Sequence, residues 1–338
     1  MRSFRSLANL VPIAGLLLLA ACNTTPTAEQ SPAASSPAAT NSTAAMDHSG
    51  HGSAEAKINI NTAILSELDK LEGKLGIPAL SNRIQASRPY ASPEELVTKK
   101  VVTADQFNQI KDMVTIEDVV LTGAAKDADY MTKLGLMKGH LLVAKELLDQ
   151  QQPKQAEPHI GHPVEEIYAD VEDQLQERNV KEFKTTLISL QDMVKAGAKD
   201  SAQVQATFTA AEQAIDAAIQ ALPATQRESP EFTLRVIDGL LDAADAEYQA
   251  AIADGKIAAA IEYQDSRGFV LYAQDLYKDA AGKLTQSAPD TQQAMAKNLA
   301  ELTQAWPAVI PPATPVKSPE QVSQLVKAIE QESQKVIK

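Results

Sequence analysis

The sequence is poor in the residues that build sheets, stapled folds and phosphate loops. One cysteine, Cys22, among 338 residues excludes any intrachain disulfide, so the fold rests on core packing. Aromatic residues make up 4% of the chain and glycine 14 positions, which argues against an all-β sandwich. No glycine-rich phosphate loop, nucleophile elbow, HExxH or CxxC is present, so hydrolase and nucleotide-binding readings lack support and a non-catalytic protein is expected. Positive charge is also short, with 31 Lys and Arg against 44 Asp and Glu. A net charge of −13 repels phosphate backbones and anionic lipid. What the chain has instead is Ala, Leu, Gln, Glu and Lys, and the expected fold class is all-α: a small helical module followed by a larger helical bundle.

Arg2 and Arg5 precede an apolar run from Leu7 to Ala21, too short for a stable membrane span. Leu19-Ala20-Ala21-Cys22 resembles a bacterial lipobox. That resemblance implies a signal peptide over 1–21, cleavage before Cys22, lipid on its sulfur and an extracytoplasmic, periplasm-type location on a bacterial membrane. A plain secretory peptide with a chance cysteine is the alternative. Residues 22–56 turn to Thr, Ser, Pro, Ala and Gly and read as a disordered tether. Their mean reach is roughly 30–35 Å. Within the tether, Met46-Asp47-His48-Ser49-Gly50-His51 is similar to the short Met/His segments of periplasmic copper proteins. Thioether and imidazole suit copper, although histidines in a linker are equally compatible with no role.

Residues 57–118 carry recurring helix starts at Asn61-Thr62, Ser92-Pro93-Glu94-Glu95 and Thr103-Ala104-Asp105. With Ile58-Asn59-Ile60-Asn61-Thr62-Ala63, Leu68, Leu71, Gly76-Ile77-Pro78, Arg83-Ile84, Arg88-Pro89-Tyr90, Leu96 and Ile110, the stretch resembles tandem helix-hairpin-helix modules. The likeness is to ComEA-type competence DNA receptors and to the PsbU subunit of photosystem II. It implies either DNA binding through hairpin amides or docking of a protein partner. DNA binding would draw on Gly76, Lys99, Lys100 and Lys111. The second hairpin, Val101-Val102-Thr103-Ala104-Asp105, lacks glycines and places a carboxylate where a phosphate would sit. Eight basic against nine acidic side chains in 57–118 also withhold the electrostatic attraction for DNA. Docking to a protein is therefore the favoured expectation, and a structural subunit of a membrane complex is a further one.

From residue 124 to 338, apolar residues at spacings of three and four predict a series of amphipathic helices, with breaks at Pro153, Gly161-His162-Pro163, Gly197, Pro223, Pro230, Gly255 and the Trp306–Pro315 segment. All five histidines fall in two clusters, the tether pair and His140, His159 and His162. His162 is followed at three and four residues by Glu165 and Glu166, a spacing that brings imidazole and carboxylate to one helix face. The same acids also suit the first turn of a helix begun by Pro163. His162 and Glu165 resemble the HxxE pattern of imelysin-type periplasmic iron-uptake proteins, which are helical bundles too. An echo in Ala246-Glu247-Tyr248-Gln249 and Ile261-Glu262-Tyr263-Gln264-Asp265 offers Glu247, Glu262 and Asp265 from two helices around Gly255. An acid in such an apolar helix is costly unless paired or ligated. The expectation is a His/Glu/Asp site for copper, iron or zinc, with a buried ion pair as the rival.

Overall fold

The computed structural model describes residues 57–118, 121–197 and 202–337; Cys22, Met46, His48 and His51 lie outside the described residues. The amino-terminal module runs β1 (Ile58–Asn59), α1 (Leu65–Leu75), α2 (Leu80–Ala86), α3 (Glu95–Thr98), α4 (Ala104–Ile110) and β2 (Val114–Thr115). Parallel pairing of Ile58 with Val114 and of Asn59 with Thr115 ties its two ends together. Gly76 ends α1 in the left-handed region at φ 61°, donating its N–H to the Glu72 carbonyl. Thr103 opens α4 with a reciprocal side-chain cap to Gln106. Leu68, Leu71, Leu80, Ile84, Leu96 and Ile110 fill a core of the module's own.

The remainder comprises α5 (Gly123–Asp149), α6 (Pro153–His162), a π-helical turn at Pro163–Ile167, α7 (Tyr168–Glu177), α8 (Lys184–Lys195), α9 (Ala202–Gln220), α10 (Ala224–Arg227) and α11 (Pro230–Ala251). A two-residue ribbon, β3 (Ile252–Ala253) with β4 (Lys256–Ile257), turns at Gly255 into α12 (Ala260–Ser287). Then come α13 (Pro289–Leu302), a 3-10 turn at Thr303–Ala305, and α14 (Pro319–Ser333). The helical class expected from composition is what the chain adopts. The break expected at Gly161-His162-Pro163 is corrected: α6, the π turn and α7 follow one another without a gap, with Tyr168 N–H reaching back five residues to the Pro163 carbonyl. The wider turn carries the chain past a proline that has no N–H to give.

Helix α11 packs against α1, α5, α12 and α14, and α5 packs against α12. The α5–α12 crossing is held close by glycine. A Cβ on Gly268 would sit 2.3 Å from the Gly139 carbonyl oxygen, and one on Gly139 would sit 2.9 Å from the Gly268 carbonyl carbon. Gly135, one turn before Gly139, meets the Tyr272 ring in the same way.

The amino-terminal module and the bundle belong to one packed unit, and α1 lies on α11. Gly73 seats against Gln249, Lys70 pairs with Asp242 at 3.4 Å, and Ile64 joins the bundle's core. Between the helices, the buried carboxyls of Asp69 and Glu247 share a hydrogen bond, and Ser81 donates to Asp69. Burial is the main cause that pushes Asp69 up to about 8; neighbouring Glu72 and Glu262 add to the shift, while the Ser81 and Glu247 hydrogen bonds oppose it. A folded-state value above the unfolded one means stability that is complete below about pH 4 and is lost as pH rises through about 8. Thermal melts at pH 5, 7 and 9 will therefore fall with pH in the wild type, and Asp69→Asn will flatten that fall. An equal fall in both proteins would contradict the assignment.

Candidate metal centre

The glycine crossing sets the geometry of the histidine cluster. His140 follows Gly139 on α5, and Asp265 stands one turn before Gly268 on α12. With the two backbones in contact, His140 Nδ1 lies 2.6 Å from Asp265 Oδ1. His159 and His162 are brought in by the last turn of α6, with His159 Nδ1 2.6 Å from the same Oδ1 and His162 Nδ1 3.3 Å from Oδ2. One carboxylate thus faces three imidazoles. His140, His159 and Asp265 are buried, and His162 keeps 24% of its side chain exposed.

The three imidazoles are not equivalent. Gln264 donates from Nε2 to the Val309 carbonyl at 3.2 Å and to Gln155 at 3.0 Å, which fixes its amide and turns its Oε1 to His159 Nε2 at 2.9 Å. His159 therefore spends one nitrogen on Gln264 and the other on Asp265, and holds the carboxylate in place. His140 spends only Nδ1: its Nε2 is buried without a hydrogen-bond partner among the described residues. The donor atoms of His140, His162 and Asp265 all lie within 4.8 Å of one another, so these three side chains can hold one metal ion. A buried imidazole nitrogen with no partner and an imidazole–imidazole–carboxylate donor set fit a first-row transition metal.

The electrostatics follow from burial and from this sharing. Burial alone would raise Asp265, but His140 and His159 outweigh it and hold the carboxyl well below the usual carboxylate range. Burial pushes His140 down, more than Asp265 pulls it up. For His162 burial is overcome by the Asp265 hydrogen bond and charge, aided by Glu166 and Glu262, and its value rises to about 9. Burial raises Glu166 to about 7, against the pull of His162.

The remaining sequence candidates separate. Glu166 and Glu262 act on His162 through charge alone, each raising its value. Glu165 turns outward, exposed, with Gln191 donating to it at 3.5 Å. Glu247 is buried on the α1 side of α11, bonded to Asp69. The nucleic-acid candidates have the following neighbours. Lys99 folds over the Tyr90 ring, 4.7 Å from its centroid, and donates to the carbonyls of Ser87 and Pro89. Gly76 spends its N–H on the end of α1, while Lys100 and Lys111 are exposed. Across the first hairpin, the Glu72 carboxylate accepts from Ala79 N–H at 2.8 Å and from Ser81 N–H at 3.1 Å. The chain's own acid takes the amides that a phosphate would need. Sequence reading missed Gln264, Asp69, Glu72 and the Gly139–Gly268 contact; a glycine immediately before His140 was the available signal for the last.

Residues 223–338 match the iron permease-associated 4-helix bundle domain. The match covers α11 to α14, so it includes Asp265 and Glu262 but none of the three histidines, which α5 and α6 supply from outside it. Residues 53–115 match the helix-hairpin-helix motif, in agreement with the resemblance read from the sequence. No curated protein and no solved structure matches the chain.

Because the crossing places His140 against Asp265, Gly268→Ala will damage the site without removing any donor. The expected cost is about 1–3 kcal/mol of stability, read by denaturant unfolding. Gly282→Ala on the same helix meets no atom within 4 Å and will be neutral or stabilising. Equal effects of the two substitutions would refute the close-crossing account.

Proposed function

We propose that the protein is a lipid-anchored, extracytoplasmic, non-catalytic iron-binding protein that holds its ion on His140, His162 and Asp265 and serves an iron permease. The convergence of those three donors at the edge of a bundle domain associated with iron permeases is the observation that carries this reading. Iron is favoured because the donors are imidazole and carboxylate with no thiolate. His159 and Gln264 orient Asp265 in the manner of the outer partners that fix metal ligands. Lipid on Cys22 would keep this bundle close to a membrane; among the described residues no helix is long and apolar enough to cross one. The helix-hairpin-helix module, whose α1 packs on α11 of the bundle, would dock a permease or another protein through its remaining surface. That use of the module suits its acidic hairpin better than DNA does.

Elemental analysis after incubation with ferrous iron tests the reading, using a protein in which His48→Ala and His51→Ala remove the tether ligands. Near-stoichiometric iron is expected. His140→Ala, His162→Ala and Asp265→Ala will each abolish it while helical content stays intact, and His159→Gln will retain a site of affinity about 10–100-fold weaker. Iron that persists in all three ligand variants would sink the assignment.

A further inference from the structure

Helix α1 of the amino-terminal module meets α11 of the bundle through a carboxyl–carboxyl contact. Asp69 on α1 and Glu247 on α11 are both buried and share a hydrogen bond. An ionised carboxyl only accepts, so that bond exists only while one of the two carries a proton. Ser81 cannot supply the missing donor. Its one hydroxyl proton serves two acids, Asp69 Oδ1 and Glu72 Oε2, the latter at 3.1 Å. The Glu72 oxygens already accept the Ala79 and Ser81 backbone N–H groups, so Glu72 has no proton to give in those bonds. Across this helix contact the acids outnumber the donors, and a proton on the Asp69–Glu247 pair makes up the difference.

Elsewhere in the contact charges of both signs meet. Glu67 and Lys70 of α1, Asp129 and Lys133 of α5, and Arg235 and Asp242 of α11 line a cavity of about 260 Å³ between the three helices. Lys70 lies 3.4 Å from Asp242, which Glu330 of α14 also bonds, and Lys133 lies 3.2 Å from Asp129. At Asp69 the further charges are acidic, Glu72 from its own helix and Glu262 from α12, and both favour the protonated carboxyl. The seating leaves little space for a counter-ion, since a Cβ on Gly73 would lie 3.0 Å from Gln249 Cβ. The module also has its own core, built on Leu68, Leu71 and Ile84, which lets it move as a unit.

We propose that the proton shared by Asp69 and Glu247 is a latch between module and bundle: with it α1 stays seated on α11, and without it two buried like charges face each other and the module parts from the bundle still folded. Parting uncovers the α1 and α11 faces that are packed together here. The latch stands independently of the metal-binding reading. Burial, helped by Glu72 and Glu262, lifts Asp69 from 3.8 to about 8 in the docked state, so docking takes up a proton. Docking is therefore strongest below about pH 4, weakens about tenfold per pH unit above that, and levels off past about pH 8.

Double electron–electron resonance between spin labels on the two parts reads docking directly. The chain from residue 22 onward carries Cys22→Ser, with labels at Lys111→Cys in the module and Gln324→Cys on α14, both exposed positions. One narrow distance is expected at pH 5. At pH 9 a second, longer and broader population is expected, with helical content by circular dichroism unchanged. Asp69→Asn and Glu247→Gln each replace the shared proton by an amide N–H that does not titrate, and each is expected to keep the narrow distance at both pH values; either one suffices if the other fails to fold. A single unchanged distance from pH 5 to pH 9 without the acid substitutions would overturn the proposal. So would equal broadening in the amide variants, or a loss of helix that accompanies the broadening and makes the event unfolding.

Discussion

Two glycines in contact determine where the chemistry of this protein sits. With hydrogen alone at Gly139 and Gly268, α5 and α12 approach until backbone meets backbone, and the neighbouring side chains, His140 and Asp265, are carried to hydrogen-bond distance. Any larger residue would hold the helices apart and leave the carboxylate with fewer imidazoles to offset its burial. Helix α11 packs on both helices of this crossing and carries α1 on its own surface.

Burying Asp265 is the energetic problem that the cluster solves. A lone buried carboxylate is strongly unfavourable, and breaking one partner of a buried charge network costs more than an exposed ion pair contributes. Three imidazoles and the Gln264 amide distribute that charge, with Gln264 anchored on the backbone carbonyl of Val309. Among the described residues the buried His140 Nε2 has no hydrogen-bond partner. A network built only for stability would gain nothing from that vacancy of bonding, whereas a metal-binding network uses an imidazole lone pair directly.

Much of this was legible in the sequence, for physical reasons that can be named. Apolar spacing and proline positions gave the helices of the bundle, and the clustering of His140, His159 and His162 pointed to one place because a helix returns every three to four residues. The Thr103 cap and the Gly76 turn were readable because capping is local. What escaped depends on tertiary contact. Glu165 and Glu166 are equally placed on an ideal α-helix, and only the π turn chooses between them. Glu247 and Glu262 belong to echoing segments, yet the first bonds Asp69 while the charge of the second acts on both Asp69 and His162. No local pattern announces that Glu72 caps its own hairpin or that Gly139 meets Gly268.

The same distinction explains the amino-terminal module. Its helices and hairpin follow the sequence pattern, while the amides of Ala79 and Ser81 are taken by Glu72 and Lys99 by Tyr90 and two carbonyls. The module lies on the bundle through α1, and under the proposed reading the metal centre is the part that holds the ion. The central claim is tested most directly by iron K-edge X-ray absorption on the iron-loaded protein, compared with Asp265→Ala. The account predicts a first shell of nitrogen and oxygen with imidazole scattering from two histidines, absent in the variant. A shell of oxygen alone, or one that Asp265→Ala leaves unchanged, would contradict it.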